Sequence, residues 1–251
     1  MISDDELALA LATESGQLLL GLREAMGFAD PTALRAAGDA HSHELLMQRF
    51  GAERPDDAVL SEEGVDDKAR LAADRVWIVD PLDGTREYGE EGRTDWAVHI
   101  ALWVRGQGLT AAAVALPAAG APLATLLFAE EPAGRPSYDG PPRIVVSRTR
   151  APAWVSGVAG QMGATTIPMG SAGAKIAAVV QGDAEVYLHS GGQYEWDSAA
   201  PVAVAQAAGL WCSRLDGSPL TYNRADPLLP DLVVCRADLA DAVLRRVAAA
   251  I

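Results

Sequence analysis

The run Val76-Trp77-Ile78-Val79-Asp80-Pro81-Leu82-Asp83-Gly84-Thr85 constrains this chain more than any other stretch. Its first four residues are β-branched or aromatic and suit a short, covered strand. Pro81 excludes Asp80 from the helical region, so the chain is expected to turn there with Asp80 and Asp83 on one tight turn. Gly84 lets backbone approach a ligand closely, and Thr85 opens what reads as the next helix, whose free N–H groups favour an anion. Hard cations such as Mg²⁺ take oxygen ligands and leave coordination positions for a phosphate. The run therefore has the outline of a metal-phosphate site.

Taken alone, Asp-Pro-x-Asp-Gly is also ordinary turn chemistry. Two further segments shift the balance. Upstream, Ala58-Val59-Leu60-Ser61-Glu62-Glu63-Gly64 is another short apolar run ending in acids. Downstream, Asp197 in Glu195-Trp196-Asp197-Ser198-Ala199-Ala200 stands at the start of a helix rich in Ala and Val that stops at Gly209.

In this order and spacing, the segments resemble the inositol monophosphatase superfamily of Mg²⁺-dependent, Li⁺-sensitive phosphatases, which includes fructose-1,6-bisphosphatases and 3′(2′),5′-bisphosphate nucleotidases. Trp77 to Thr85 is similar to the family's first signature, Trp196 to Ala200 to its second, and Glu62-Glu63 to its paired-glutamate loop. The resemblance covers almost the whole chain. It implies a layered αβαβα sandwich, an α/β fold made of an α+β half and an α/β half.

At 251 residues, nearly half of them apolar, the chain is long enough for a substantial core. No apolar run reaches a membrane span, and the start is acidic (Asp4, Asp5, Glu6) rather than a basic leader, so a soluble cytoplasmic protein is expected. Cys212 and Cys235 lack CxxC spacing and read as buried free thiols. A formal charge of −14 argues against a nucleic-acid polymer as partner. It does not exclude an anionic small molecule, because bound divalent cations invert the local field.

Ser3-Asp4-Asp5-Glu6 has capping-box spacing ahead of a helix that ends near Gly27, and a second helix is expected from the Pro31 region to Phe50. Trp96–Val104, Thr110–Leu116 and Leu123–Phe128 read as strands, and Glu130–Pro142 as a loop rich in Pro and Gly. Beyond it, strands near Ile144, Thr165, Val186 and Val233 alternate with helices near Pro152, Ala172, Ser198 and Asp238. The expected division is residues 1–142, with most of the acids, and 143–251, with Asp197 and the substrate-selecting residues. The site is expected between the halves.

The resemblance also implies roles. Glu62, Asp80 and the Leu82 carbonyl would hold one Mg²⁺, and Asp80, Asp83 and Asp197 a second. Glu62 and Thr85 would position the attacking water, and Asp39 would help hold a third, weaker ion; its other reading is a solvated helix acid. Glu63, Asp66 and Asp67 read as loop acids, and His41 and His43, two apart on a helix, do not share a face, which argues against zinc. A homodimer is compatible with the resemblance.

For the substrate, Gly170-Ser171-Ala172-Gly173-Ala174-Lys175 begins a helix after a strand and is similar to an element that bisphosphate nucleotidases place at the substrate site. Ser171, Lys175 and Arg148 are the expected contacts beside Asp83, Gly84 and Thr85, with Lys175 on a second phosphate. The Glu195-Trp196-Asp197 block is similar to the form found in bacterial phosphatases of sulfur assimilation. The resulting expectation is hydrolysis of the 3′-phosphate of 3′-phosphoadenosine 5′-phosphate (PAP) or of its sulfated precursor. Inositol-1-phosphate, fructose-1,6-bisphosphate and a non-catalytic phosphate-binding relative are the alternatives. Haloacid-dehalogenase-type phosphatases also carry Asp-x-Asp-Gly-Thr after a strand, but Pro81 occupies the position of their first acid and cannot attack phosphorus.

Overall fold

The computed structural model describes residues 2–120, 122–124 and 138–251. The loop expected over Glu130–Pro142 and the end of the strand expected over Leu123–Phe128 lie largely outside them. Helix α1 (Asp4–Met26) begins on the anticipated capping box, with Ser3 and Glu6 exchanging hydrogen bonds, and ends at Gly27. Helix α2 (Pro31–Glu53) is capped by the Asp30 carboxylate on the N–H groups of Thr32 and Ala33.

The first sheet runs β1 (Ala58–Ser61), β2 (Arg75–Asp83), β3 (Ala97–Val104), β4 (Gly108–Ala115) and β5 (Leu123–Ala124), in that spatial order. Strands β1 and β2 are parallel and the remaining pairs antiparallel. The second contains β6 (Arg143–Ser147), β7 (Thr165–Met169), β8 (Val186–Tyr194), β9 (Trp211–Ser213) and β10 (Leu228–Cys235), in the order β7-β6-β8-β10-β9. The short β9 is a strand that periodicity does not reveal.

Strand alternation decides the layers. On β2, Trp77 and Val79 pack with α1 and α2, whereas Val76 and Ile78 face the opposite cluster, built from α5 (Ala172–Gln181) and α6 (Glu195–Ala207). Those two helices are buried between both sheets, and their apolar positions are correspondingly rich in Ala and Val. On the far side of the second sheet, α4 (Val155–Met162) and α7 (Ala240–Ala250) close a third cluster with Ile144, Leu188 and Val233. The result is the αβαβα sandwich. Neither cysteine is in a disulfide, and no helix among the described residues is long and apolar enough to cross a membrane.

Two local expectations are corrected. The chain does not turn at Asp80: β2 continues to Asp83 through a bulge, with Asp80 opposite His99 and Asp83 opposite Ala97. Pro81 has no N–H to give the ladder, and its carbonyl accepts instead from Ser42 Oγ on α2 at 2.7 Å. The helix opened by Thr85 is a single turn, α3 (Thr85–Tyr88), entered through Gly84 at φ +83°.

Candidate active site

The β2 bulge, the end of β1, the loop before α5 and the first turn of α6 converge on one cleft of about 590 Å³. Its lining includes Glu62, Leu82, Asp83, Gly84, Thr85, Arg148, Ser171, Lys175 and Asp197. Asp80 lies beneath, almost wholly buried, and carboxylate oxygens of Asp80, Asp83 and Asp197 come within 4.8 Å of one another.

Each of these aspartates has one oxygen held by the protein, and the second oxygen of Asp80 is buried without a partner. Asp80 Oδ1 accepts from Leu82 N at 3.0 Å, while Oδ2 is buried without a partner. Asp83 Oδ2 accepts from Ser171 Oγ at 2.5 Å and Gly173 N at 2.8 Å. Asp197 Oδ2 accepts from Tyr194 N at 2.6 Å, as the third residue of α6 closing back on its cap. Burial and the neighbouring charges of Glu62, Asp83 and Asp197 raise the Asp80 pKa well above the carboxylate range. Burial and the charge of Asp83 likewise raise Asp197. Glu62 is open to the cleft, but lost hydration and the charges of Asp83, Glu63 and Asp39 push it up as well. Packed carboxylates with inward-facing, unpartnered oxygens require protons or a cation among them, so the donor set fits a hard divalent ion.

Asp39 reaches the cleft because α2 passes close over the bulge. A Cβ on Gly38 would stand 2.9 Å from Leu82 Cδ2, so the small residue permits the approach. Thr85 Oγ1 then lies 3.1 Å from the Leu82 carbonyl and 3.4 Å from Asp39 Oδ1. Burial, followed by the charge of Glu63, pushes the Asp39 pKa up to about 6.

The cations differ from expectation. Lys175 is buried, and its ammonium donates to the carbonyls of Gly170 and of Ser171, the latter at 2.8 Å, below the ring of Tyr187. Burial lowers its pKa to about 8. Arg148 is bonded through its guanidinium to Glu87 at 2.6 Å and Glu90 at 2.9 Å. Asp66, read as a loop acid, is paired with the buried Arg70 and held down to about 2 mainly by that hydrogen bond.

His99 and His189 escape sequence reading because neither has a local motif. His99 is buried beneath the cluster, and His189 lines the cleft with Tyr187 and Gln193. An inward-facing position on an otherwise apolar strand is the one signal the sequence carries for His99, since a buried polar side chain needs partners. His41 and His43 do not join the site among the described residues; His43 Nδ1 pairs with Ser61 Oγ at 3.0 Å.

The inositol monophosphatase family model matches residues 7–248. The 3′-phosphoadenosine 5′-phosphate phosphatase of Mycobacterium leprae (strain TN) is 53% identical over 254 residues, covering 97% of this chain and 93% of that protein. The 3′(2′),5′-bisphosphate nucleotidase CysQ of Escherichia coli (strain K12) is 32% identical over 207 residues, 77% of this chain and 81% of that one. Among solved structures, CysQ from Bacteroides thetaiotaomicron, a bacterial member of the inositol monophosphatase family, superimposes with a TM-score of 0.77 at 25% identity, covering 93% of this chain and 97% of that chain.

Proposed function

The chain belongs to the inositol monophosphatase family, and from that premise we propose that it hydrolyses the 3′-phosphate of 3′-phosphoadenosine 5′-phosphate, and that its sulfated precursor is taken by the same site. The observation that carries the reaction class is the aspartate cluster on the cleft floor, each member pinned through one oxygen and all three with a carboxylate oxygen within 4.8 Å of the others. The choice of substrate rests on the relatives of that activity, matched over most of the chain.

In this reading Glu62, Asp80 and the Leu82 carbonyl would hold one Mg²⁺, Asp80, Asp83 and Asp197 would hold a second, and Asp39 would help hold a third. Such ions neutralise phosphate oxygens and lower the pKa of water. The protein's own groups do the rest. Asp80 serves both principal positions, so the burial of its unpartnered oxygen is part of the design. Thr85 donates its hydroxyl hydrogen toward Asp39 or Leu82 and so turns a lone pair to a water in the cleft. Asp39, beside Thr85, and Glu62, on the cleft wall, are placed to accept that water's proton. Ser171 and the Gly173 N–H keep Asp83 aimed through its other oxygen. Attack by water leaves no covalent enzyme intermediate, because Pro81 replaces the acid such a route would need.

Phosphate release from PAP, inositol-1-phosphate and fructose-1,6-bisphosphate at one fixed Mg²⁺ concentration tests the proposal. The highest kcat/KM is expected on PAP, with inhibition by Li⁺. Preference for inositol-1-phosphate would replace the nucleotide reading, and no release from any ester would point to a non-catalytic relative.

A further inference from the structure

The expected contact for a second phosphate, Lys175, spends two of its ammonium's three N–H donors on carbonyls of its own loop and is buried. Arg148, the other cation named from sequence, is occupied by two carboxylates. Two more cations line the cleft, Arg86 and Arg150. Arg86 has the Glu90 carboxylate within its field. The Arg150 guanidinium is exposed and has no hydrogen-bond or ion-pair partner among the described residues.

Arg150 stands over the inner wall formed by β8. Its Nη1 lies 3.7 Å from where a Cβ on Gly192 would be, which places the guanidinium against β8 at van der Waals range. On the same wall, His189 and Gln193 are each only 5% exposed. His189 Nε2 is without a partner, and the Gln193 carboxamide pairs with Tyr187 Oη through one end, at 2.9 Å, and leaves the other unpaired. Buried polar groups without partners are uncommon and costly, which marks a surface shaped for a polar ligand. Burial, and after it the charge of Lys175, keep the His189 pKa down at about 4, with Arg150 adding to the effect. The wall is therefore electropositive without His189 itself being charged.

We propose that Arg150 is the residue that selects a second phosphate on the leaving group, with His189 and Gln193 forming the neutral polar wall against the sugar that joins the two phosphates. This rests on the nucleotide reading and deepens it. Lys175 becomes a positioning residue that holds the Gly170–Ser171 carbonyls and, through Ser171, the orientation of Asp83. A guanidinium presents two parallel donors to a phosphate, which suits it to anion selection at an exposed mouth better than an ammonium.

The test compares Arg150→Ala and Lys175→Ala on PAP and on adenosine 3′-monophosphate, with 5′-AMP and inorganic phosphate as inhibitors. For Arg150→Ala, the loss in kcat/KM on PAP is expected to exceed that on adenosine 3′-monophosphate by about ten-fold or more. Inhibition by 5′-AMP should weaken by a similar factor relative to inhibition by inorganic phosphate. Lys175→Ala should damage both substrates alike, chiefly in kcat. Arg150→Lys should recover part of the selectivity. Equal losses for Arg150→Ala on both substrates, unchanged 5′-AMP inhibition, or a PAP-selective loss for Lys175→Ala instead, would each overturn the assignment. Failure of the nucleotide reading is seen separately, in the wild-type ranking of PAP against inositol-1-phosphate. The 5′-AMP measurement tests Arg150 even then, with whichever monoester the enzyme turns over.

Discussion

His99 Nε2 stands 3.3 Å from Asp83 Oδ2, and its other ring nitrogen, Nδ1, faces the Trp196 carbonyl at 3.0 Å. A carbonyl can only accept, so Nδ1 carries a proton. One buried ring on β3 thus bonds to the residue preceding Asp197 on α6 and rests against Asp83 on the β2 bulge, where its Nε2 has no hydrogen-bond partner. Burial holds the His99 pKa below the ordinary range, against the opposing pull of Asp83. The ring therefore fills the space between the strand that carries Asp83 and the helix turn that carries Asp197.

His99→Ala is accordingly expected to weaken Mg²⁺ binding by about ten- to a hundred-fold, the usual cost of removing a group that orients metal ligands. Titration of activity with Mg²⁺, paired with calorimetric binding, would measure it. Unchanged affinity would show that the backbone alone fixes Asp83 and Asp197.

Gly173→Ala should destabilise the protein by about 1–3 kcal/mol, because the new Cβ would overlap the His99 ring. Denaturant unfolding of both single mutants and the double mutant gives the check. In the double mutant with His99→Ala, the combined loss should fall short of the sum, since the clash has been removed. Strict additivity would place the strain elsewhere.

Asp80→Asn is expected to abolish turnover while raising the melting temperature of the metal-free protein. The substitution removes a buried carboxyl whose ionisation is opposed by burial and by Glu62, Asp83 and Asp197, and leaves the β2 packing in place. Melting curves in chelator and in Mg²⁺ separate the effects: the variant should lose the increment that Mg²⁺ gives the wild type. Retained turnover would remove Asp80 from the cluster's function.

The same crowding sets a pH dependence. Unfolded, these aspartates release their protons near pH 4, whereas in the metal-free fold Asp80 and Asp197 retain theirs to higher pH, Asp197 up to about 8. The folded state therefore binds more protons across this window, and their contribution to stability falls as pH rises from about 4 to about 8. Mg²⁺ competes with those protons, so its stabilising increment should grow over the same range. Melting temperatures with chelator and with Mg²⁺, taken from about pH 5 to pH 8, test the sign; a gap that narrows with pH would contradict it.

Thr85→Ala and Glu62→Gln should lower kcat far more than they raise KM, because in the proposed mechanism both residues act on the attacking water rather than the leaving group. Steady-state kinetics on PAP distinguish the cases. A pure KM effect would assign them to substrate binding.

The sequence alone determined what lies within a few residues of itself. Ser3 and Glu6 announce the start of α1, the unbroken apolar run Val76-Trp77-Ile78-Val79 announces a strand covered on both faces, and Asp80-Pro81-x-Asp83-Gly84-Thr85 announces clustered carboxylates at a strand end. Cap chemistry, side-chain period and turn residues act over one helical turn or one pleat, so they survive in the linear order. What Pro81 does to the strand was not legible in this way, because whether a proline makes a turn or a bulge depends on a partner for its carbonyl, and that partner is Ser42 on another helix. The bond of His99 to Trp196 beside Asp83, the capture of Lys175 by its own loop, the occupation of Arg148 by Glu87 and Glu90, and the lack of a partner for the Arg150 guanidinium among the described residues were decided only by tertiary structure. Each depends on which charges and carbonyls the two sheets and the helices between them bring within about 3 Å, and hydrogen-bond geometry at that range is set by register and packing, not by residue type.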